Sequence, residues 1–308
     1  MTRARRSPAL RIRDTTFVWG ERTYIMGIIN VTPDSFSGDG LLGRSTDWVE
    51  AAVRQGVEFV QAGADILDVG GESTRPGATP ITATEEIRRV VPVIRALREV
   101  TEVPISIDTY KAEVAAAALD AGADIINDVW GFRMDPEMAP LAARREAPVI
   151  LMHNRSRPQN AALEQRLGGR YVGIAYRELI EDIKEELLAS VAIAHSAGIP
   201  DDHIILDPGI GFGKTVEQNL ELIDRLNELA TLGYPLLVGP SRKSFIGYTL
   251  DLPPDQRIEG TAAAVAICID RGADIVRVHD VLYMTRVARM TDAIVRRSGK
   301  PRAPQAPP

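Results

Sequence analysis

From residue 24 onward the chain alternates short, nearly continuous apolar runs with longer amphipathic ones. Eight runs are rich in Val and Ile: YIMGIIN (24–30), DILDVGG (65–71), VPISID (103–108), DIINDV (124–129), PVILMH (148–153), HIILDPG (203–209), PLLVGP (235–240) and DIVRVHD (274–280). Runs with so few polar breaks predict strands covered on both faces, as in a parallel sheet wrapped by helices. Helical patterns follow them, among them DWVEAAVRQGVEFVQAG (47–63), TATEEIRRVVPVIRALREV (82–100), VEQNLELIDRLNEL (216–229) and VLYMTRVARMTDAIVRRSG (281–299). Eight such repeats favour closure as an α/β (β/α)8 TIM barrel over an open sheet. Three helical patterns stop at AGAD (62–65), AGAD (121–124) and RGAD (271–274), where Gly suits a left-handed cap and Asp leads into the next strand. Ahead of the repeats, LRIRDTTFVWGERT (10–23) reads as a β-hairpin that plugs the barrel bottom. The expected division is a tail and hairpin at 1–22, the barrel at 23–298 and a Pro-rich disordered tail at 299–308.

Composition narrows the class. A length of 308 residues is within reach of one barrel, and 45% hydrophobic with 25% charged residues points to neither a disordered chain nor a membrane protein. A net charge of −6 argues against a general nucleic-acid binder. The lone cysteine, Cys268, has no partner for an internal disulfide and reads as a small core residue. The N-terminal arginines 3, 5 and 6 precede no secretory apolar core, and no apolar stretch of about 18 residues occurs, so a cytoplasmic protein without a membrane partner is expected.

Chemistry concentrates where the strands end, which in a barrel is the face that carries the site. Asn30, Asp68, Asp108, Asn127, Asp128, His153, Asp207, the SRKS segment at 241–244, Arg277 and His279 all fall there. Leaving such groups buried and unpaired costs about 1–3 kcal/mol each, so their convergence points to a site. Taken singly, Asp68 and Asp128 read as loop holders or caps, and Arg277 has the alternative of pairing with Asp207 across the mouth. Period-two alternation sets Arg277 and His279 on one strand face. With Lys243 they supply a planar fork, a ring donor and a point charge on the seventh and eighth strands, where barrels commonly build phosphate sites. Asp108, Asn127 and Asp207 suit the amino and ring N–H edge of a flat heterocycle, a purine or a pterin, and equally a sugar.

The loops at 30–46 and 70–80 are rich in Gly, Ser, Thr and Pro and read as covers over a ligand, with Phe36 available to an apolar partner such as a second substrate. DPGIGFGKT (207–215) lacks the spacing of a nucleotide-binding P-loop, and its glycines read as points of close backbone approach. His195 and His203 read as structural, since no His or Cys cluster has zinc spacing.

The motifs MGIINVTPDSFSGDG (26–40), DVGGESTRPGA (68–78), SIDTYK (106–111), INDVWG (126–131), LMH (151–153), LDPGIGFGKT (206–215), GPSRKSFIG (239–247) and RVHDV (277–281) stand in the order found in dihydropteroate synthases. The chain resembles that family over residues 24–285. The resemblance implies a (β/α)8 enzyme of folate biosynthesis. It would join 6-hydroxymethyl-7,8-dihydropterin pyrophosphate to 4-aminobenzoate, giving 7,8-dihydropteroate and pyrophosphate, with Mg2+ and as a homodimer. It further implies that Asn30 ligates Mg2+, that Asp108, Asn127, Asp207 and Lys243 hold the pterin in a pocket that includes Met152, and that Arg277 and His279 hold the pyrophosphate. Thr74 and Arg75 would belong to a mobile loop at the pyrophosphate and aminobenzoate end, and Phe36, Pro76, Phe212 and Ser241 would lie near the aminobenzoate. Two departures stand out. SFSGDG replaces the family's SFSDGG, which leaves open whether Asp34 or Asp39 approaches the metal, and Asn154 and Arg155 follow LMH in place of Met-Gln. Alternative readings are a methyltetrahydrofolate–corrinoid methyltransferase and a non-catalytic pterin-binding paralogue.

Overall fold

In the computed structural model, which describes residues 8–31, 47–74 and 77–296, the eight apolar runs form one parallel sheet. Its strands are β3 (Tyr24–Asn30), β4 (Ile66–Gly70), β5 (Ile105–Asp108), β6 (Ile125–Asp128), β7 (Val149–Met152), β10 (Ile204–Asp207), β11 (Leu237–Val238) and β12 (Ile275–Val278). They are ordered β10-β7-β6-β5-β4-β3-β12-β11, and a parallel bridge between Leu206 and Leu236 closes the ends into a barrel. A hairpin of β1 (Leu10–Ile12) and β2 (Thr15–Phe17) precedes it, and a small ribbon of β8 (Ala161–Ala162) and β9 (Arg170–Tyr171) sits in the connection after β7.

The helices are α1 (Asp47–Ala62), α2 (Ala83–Val100), α3 (Ala112–Asp120), α4 (Met138–Arg144), α5 (Leu179–Ala197), α6 (Val216–Asp224), α7 (Leu226–Leu229), α8 (Ser244–Leu250), α9 (Ile258–Asp270) and α10 (Val281–Val295). Two differ from the pattern in the sequence. The single helix expected over 216–229 breaks at Arg225, and α8 follows the SRK segment, a stretch that was not among the expected helices. SFIGYTL carries a glycine and β-branched residues, so its local preference for helix is weak and packing decides it.

The recurring Gly-Ala-Asp stop has a common geometry. Gly63, Gly122 and Gly272 hold φ of 101°, 112° and 107°, a region costly for any residue with a Cβ. Two residues later the carboxylates of Asp65, Asp124 and Asp274 accept the backbone N–H of Ile25 (2.9 Å), Ile105 (2.9 Å) and Leu236 (3.2 Å). Each stop therefore ends a helix and ties the coming strand to its predecessor.

Strand alternation divides the barrel interior into two zones. Low in the barrel, Tyr24, Met26, Ile66, Ile125, Ile150, Ile205, Leu237 and Ile275 cluster with Leu10, Ile12, Phe17 and Trp19 of the hairpin segment. The Phe17 ring lies 5.7 Å from Trp19 and 4.8 Å from Tyr24, so the bottom is plugged. Higher up the buried strand residues include Asp68, Ser106, Asn127 and Asp207. Outward-facing residues such as Leu67, Val69, Ile126, Leu151, Leu206 and Val276 pack under the helices, each buried side chain contributing about 1.5–3 kcal/mol. Cys268 is buried there. Among the described residues no helix is long and apolar enough to cross a membrane.

Candidate active site

Parallel register sets Asn30, Gly70, Asp108 and Asn127 side by side at the strand ends. Asp68 is two residues below Gly70, fully buried. From β12 the Arg277 guanidinium donates through Nε to Asp68 Oδ2 at 2.6 Å and through Nη2 to Asp108 Oδ2 at 2.6 Å. Asn127 Nδ2 lies 3.4 Å from both Asp68 oxygens. The acids that hold Arg277 are therefore Asp68 and Asp108, and not Asp207, the pairing that the sequence offered as an alternative.

Asp68 is consequently not the loop holder that its position suggested. It is the buried acid beneath Arg277, on the same strand face as Ile66 and Gly70. Asp128 does hold a loop. Its oxygens accept the backbone N–H groups of Trp130 (2.8 Å) and Phe132 (2.9 Å), and burial pushes its carboxyl up to about 6.

Burial works against the Arg277 charge, but Asp68 and Asp108 more than offset it and raise its pKa. The Asp108 carboxyl is pushed up, chiefly by burial, with Arg277 opposing. Asp207 is pushed up to about 6 by burial, against a 2.7 Å hydrogen bond that its Oδ1 accepts from Gly209 N–H. Ser241 Oγ accepts His279 N–H at 3.1 Å and sits 3.0 Å from His279 Nδ1. Burial, then Arg277, Arg242 and Lys243, pull the His279 imidazole down to about 3. It is neutral near pH 7 and gains a proton only if an anion arrives to compensate.

Lys243 Nζ lies 3.9 Å over the Phe212 ring. Phe212 packs with Met152 and Val129, flanked by Tyr110 and Trp130, so a small apolar wall stands beside the charged mouth. The pairing suits a flat heterocycle, with the wall for its face and carboxylates for its polar edge. Asn30 is half-buried at the end of β3. Thr74 is half-buried in a loop rooted by Glu72, which accepts from Tyr110 Oη (2.9 Å), Lys111 Nζ (2.5 Å) and the Ile81 N–H (3.2 Å). Phe36, Arg75, Pro76, Asp34 and Asp39 lie outside the described residues.

Behind the wall is a group that strand-end reasoning missed. Lys214 is buried with its ammonium on His153, and His153 faces Glu186. The only sequence signal was a lysine closing a glycine-rich loop.

A closed barrel whose mouth sets carboxylates and an arginine beside an apolar wall is a binding site for a flat polar heterocycle, and comparison agrees. The chain matches the family described as "Pterin binding enzyme" over residues 26–279. It is 52% identical to a dihydropteroate synthase of Clostridium beijerinckii over 289 residues, 94% of this chain and all of that one. A Clostridium difficile dihydropteroate synthase solved in the presence of pteroic acid superposes with a TM-score of 0.82 at 48% identity, covering 91% of this chain and 99% of that one. A Xanthomonas albilineans enzyme with 4-aminobenzoic acid gives 0.82 at 40% identity, covering 94% and 98%. The chain belongs to the pterin binding enzyme family and, within it, to the dihydropteroate synthases, transferases of folate biosynthesis.

Proposed function

We propose that this chain condenses 6-hydroxymethyl-7,8-dihydropterin pyrophosphate with 4-aminobenzoate, releasing pyrophosphate and forming 7,8-dihydropteroate. The observation that carries the reading is Arg277 held between Asp68 and Asp108 at the barrel mouth. The relatives solved with pteroic acid and with 4-aminobenzoic acid support the choice of substrates.

The pterin ring lies against Met152 and Phe212, with Asp207, Asn127 and Asp108 at its polar edge and Lys243 above Phe212. Breaking the C–O bond ahead of amine attack leaves negative charge on the departing diphosphate and positive charge on the pterin methylene. Arg277 and His279 face the first and Asp108 the second, and since Arg277 and Asp108 are paired at 2.6 Å the two opposite charges are met side by side at the mouth. The amine of 4-aminobenzoate then forms the C–N bond and releases its proton. Arg277 is shared between its carboxylates and the incoming diphosphate, which leaves Asp108 freer to face the cation.

Among the described residues no group of three or more His, Cys, Asp or Glu side chains could hold a metal. Asn30, an oxygen donor at the strand end, fits a Mg2+ that keeps most of its ligands from water and phosphate. Mg2+ bound there supplies charge neutralisation for the diphosphate. Thr74, Arg75, Phe36, Pro76 and Ser241 are assigned to the diphosphate and aminobenzoate side. We also infer a cytoplasmic setting, consistent with one unpaired cysteine. A homodimer is supported by the apolar side chains that α9 and α10 expose, Ile267, Leu282, Tyr283, Met290 and Ile294, and light scattering reads it.

The test is pyrophosphate release from the pterin diphosphate, 4-aminobenzoate and Mg2+. Release that depends on 4-aminobenzoate is expected; release without it means hydrolysis, and none at all removes the reading. Arg277→Ala should lose about 10²–10³-fold in turnover. Circular dichroism should still show a folded barrel, with urea titration placing it about 3 kcal/mol less stable because two acids lose their partner.

A further inference from the structure

Lys214 closes the glycine-rich loop after β10 and is 2% exposed. Its Nζ lies 2.9 Å from His153 Nδ1, 3.0 Å from the Gly209 carbonyl oxygen and 3.1 Å from the Phe212 carbonyl oxygen. An ammonium has three N–H bonds, and these are three acceptors. His153 Nδ1 must then accept, which leaves the ring proton on Nε2, 3.2 Å from Glu186 Oε2. Glu186 is gripped in turn by Arg155 (Nε to Oε1, 2.6 Å) and Arg133 (Nη1 to Oε2, 3.2 Å). These contacts link α5, the end of β7 and the loop after β10, with the His153–Glu186 step a close polar contact and not an aligned hydrogen bond.

The two carbonyls that Lys214 holds belong to residues that set the mouth. Gly209 donates its N–H to Asp207, and Phe212 carries Lys243 on its ring. Between them Gly211 lies against the Lys243 stem, where a Cβ would come 2.8 Å from Lys243 Cδ. We propose that Lys214, oriented by His153, is a positioning residue that fixes Asp207 and the Phe212–Lys243 pair in their pterin-binding geometry. This rests on the synthase reading above.

The clamp is sensitive to its own proton. Burial pulls Lys214 down to about 7, with Asp207 and Glu186 opposing and Arg155 and Lys243 adding to the fall. His153 is pulled down to about 3 by burial and then by Lys214, so it stays a neutral acceptor. The three-armed ammonium is present below the Lys214 pKa and is lost as pH rises through it. A neutral amine has two donors for three acceptors, and the loop loosens.

The experiment is kcat/KM for the pterin substrate from pH 6 to 9.5 in the full chain, with thermal melts to confirm folding. Wild type should show an alkaline fall. Lys214→Met should lose about ten- to hundredfold at the acid end, as a misplaced site does, and its alkaline limb should vanish so that the two profiles converge at high pH. A folded Lys214→Met with the wild-type profile, or with the same profile lowered by one factor throughout, overturns the proposal, because a merely structural lysine does not move a pH limb. Should Lys214→Met not fold, His153→Gln decides. Replacing the imidazole beside the ammonium should shift the wild-type limb, and an unmoved limb counts against the clamp. Absence of any turnover in wild type sinks the synthase reading, whereas turnover with an unmoved limb sinks this inference alone.

Discussion

Asp207 ionises late because it is buried, and that delay should be visible in catalysis. The carboxylate exists above about 6 and is lost as pH falls through that value. If it accepts from the pterin edge, kcat/KM for the pterin substrate should decline below about pH 6, with Asp108, also raised by burial, adding to the fall. A profile flat down to pH 5 would remove the carboxylate from recognition. For folding the sign is opposite. The free carboxyl ionises near 3.8 and the buried one near 6, so the folded state holds the extra proton and stability drops as pH rises across that window. Period two made it legible that Arg277 and His279 share one strand face, while Asp68 read only as a cap or loop holder. It could not say that Asp68 and Asp108, on two other strands, would share one guanidinium, because that contact joins residues 209 and 169 positions apart.

Among the described loops, the one after β10 leaves the least room at its glycines. Gly209 has φ +71°, and a Cβ there would fall 1.9 Å from the His153 carbonyl oxygen. Gly213 meets the Arg155 and Ser156 backbone at 2.3 and 2.5 Å in the same sense. Gly209→Ala should therefore destabilise by about 2–4 kcal/mol and raise KM for the pterin substrate, since the same residue orients Asp207. Gly198→Ala is the control. Its φ is +96° with nothing within 4 Å of the added carbon, so only the backbone strain of about 1–2 kcal/mol applies. Urea midpoints for the pair separate crowding from strain. The glycines announced close approach in the sequence, but which backbone would approach was set by the neighbouring strand β7, whose end abuts β10 in the sheet. The short α8 was illegible for a related reason: seven residues of mixed preference are held by what they pack against.

For the whole molecule, the barrel has two ends with different tasks. The hairpin closes the lower end with Phe17, 1% exposed, against Trp19 and Tyr24. Phe17→Ala should cost about 3–5 kcal/mol and leave turnover per folded molecule unchanged, because the reacting groups sit at the opposite end. A loss of kcat with stability intact would mean that the two ends are coupled. The eightfold βα order, the parallel sheet and the polar strand ends could all be read along the chain, because period and local composition are properties of neighbouring residues. The AGAD and RGAD stops were legible for the same reason, down to the left-handed glycines. The partnerships were not: Arg277 with Asp68 and Asp108, Lys214 with His153, and the bridge that closes β10 onto β11 each join distant stretches. Such contacts depend on register and on how the strands curve into a ring, and no local pattern encodes either.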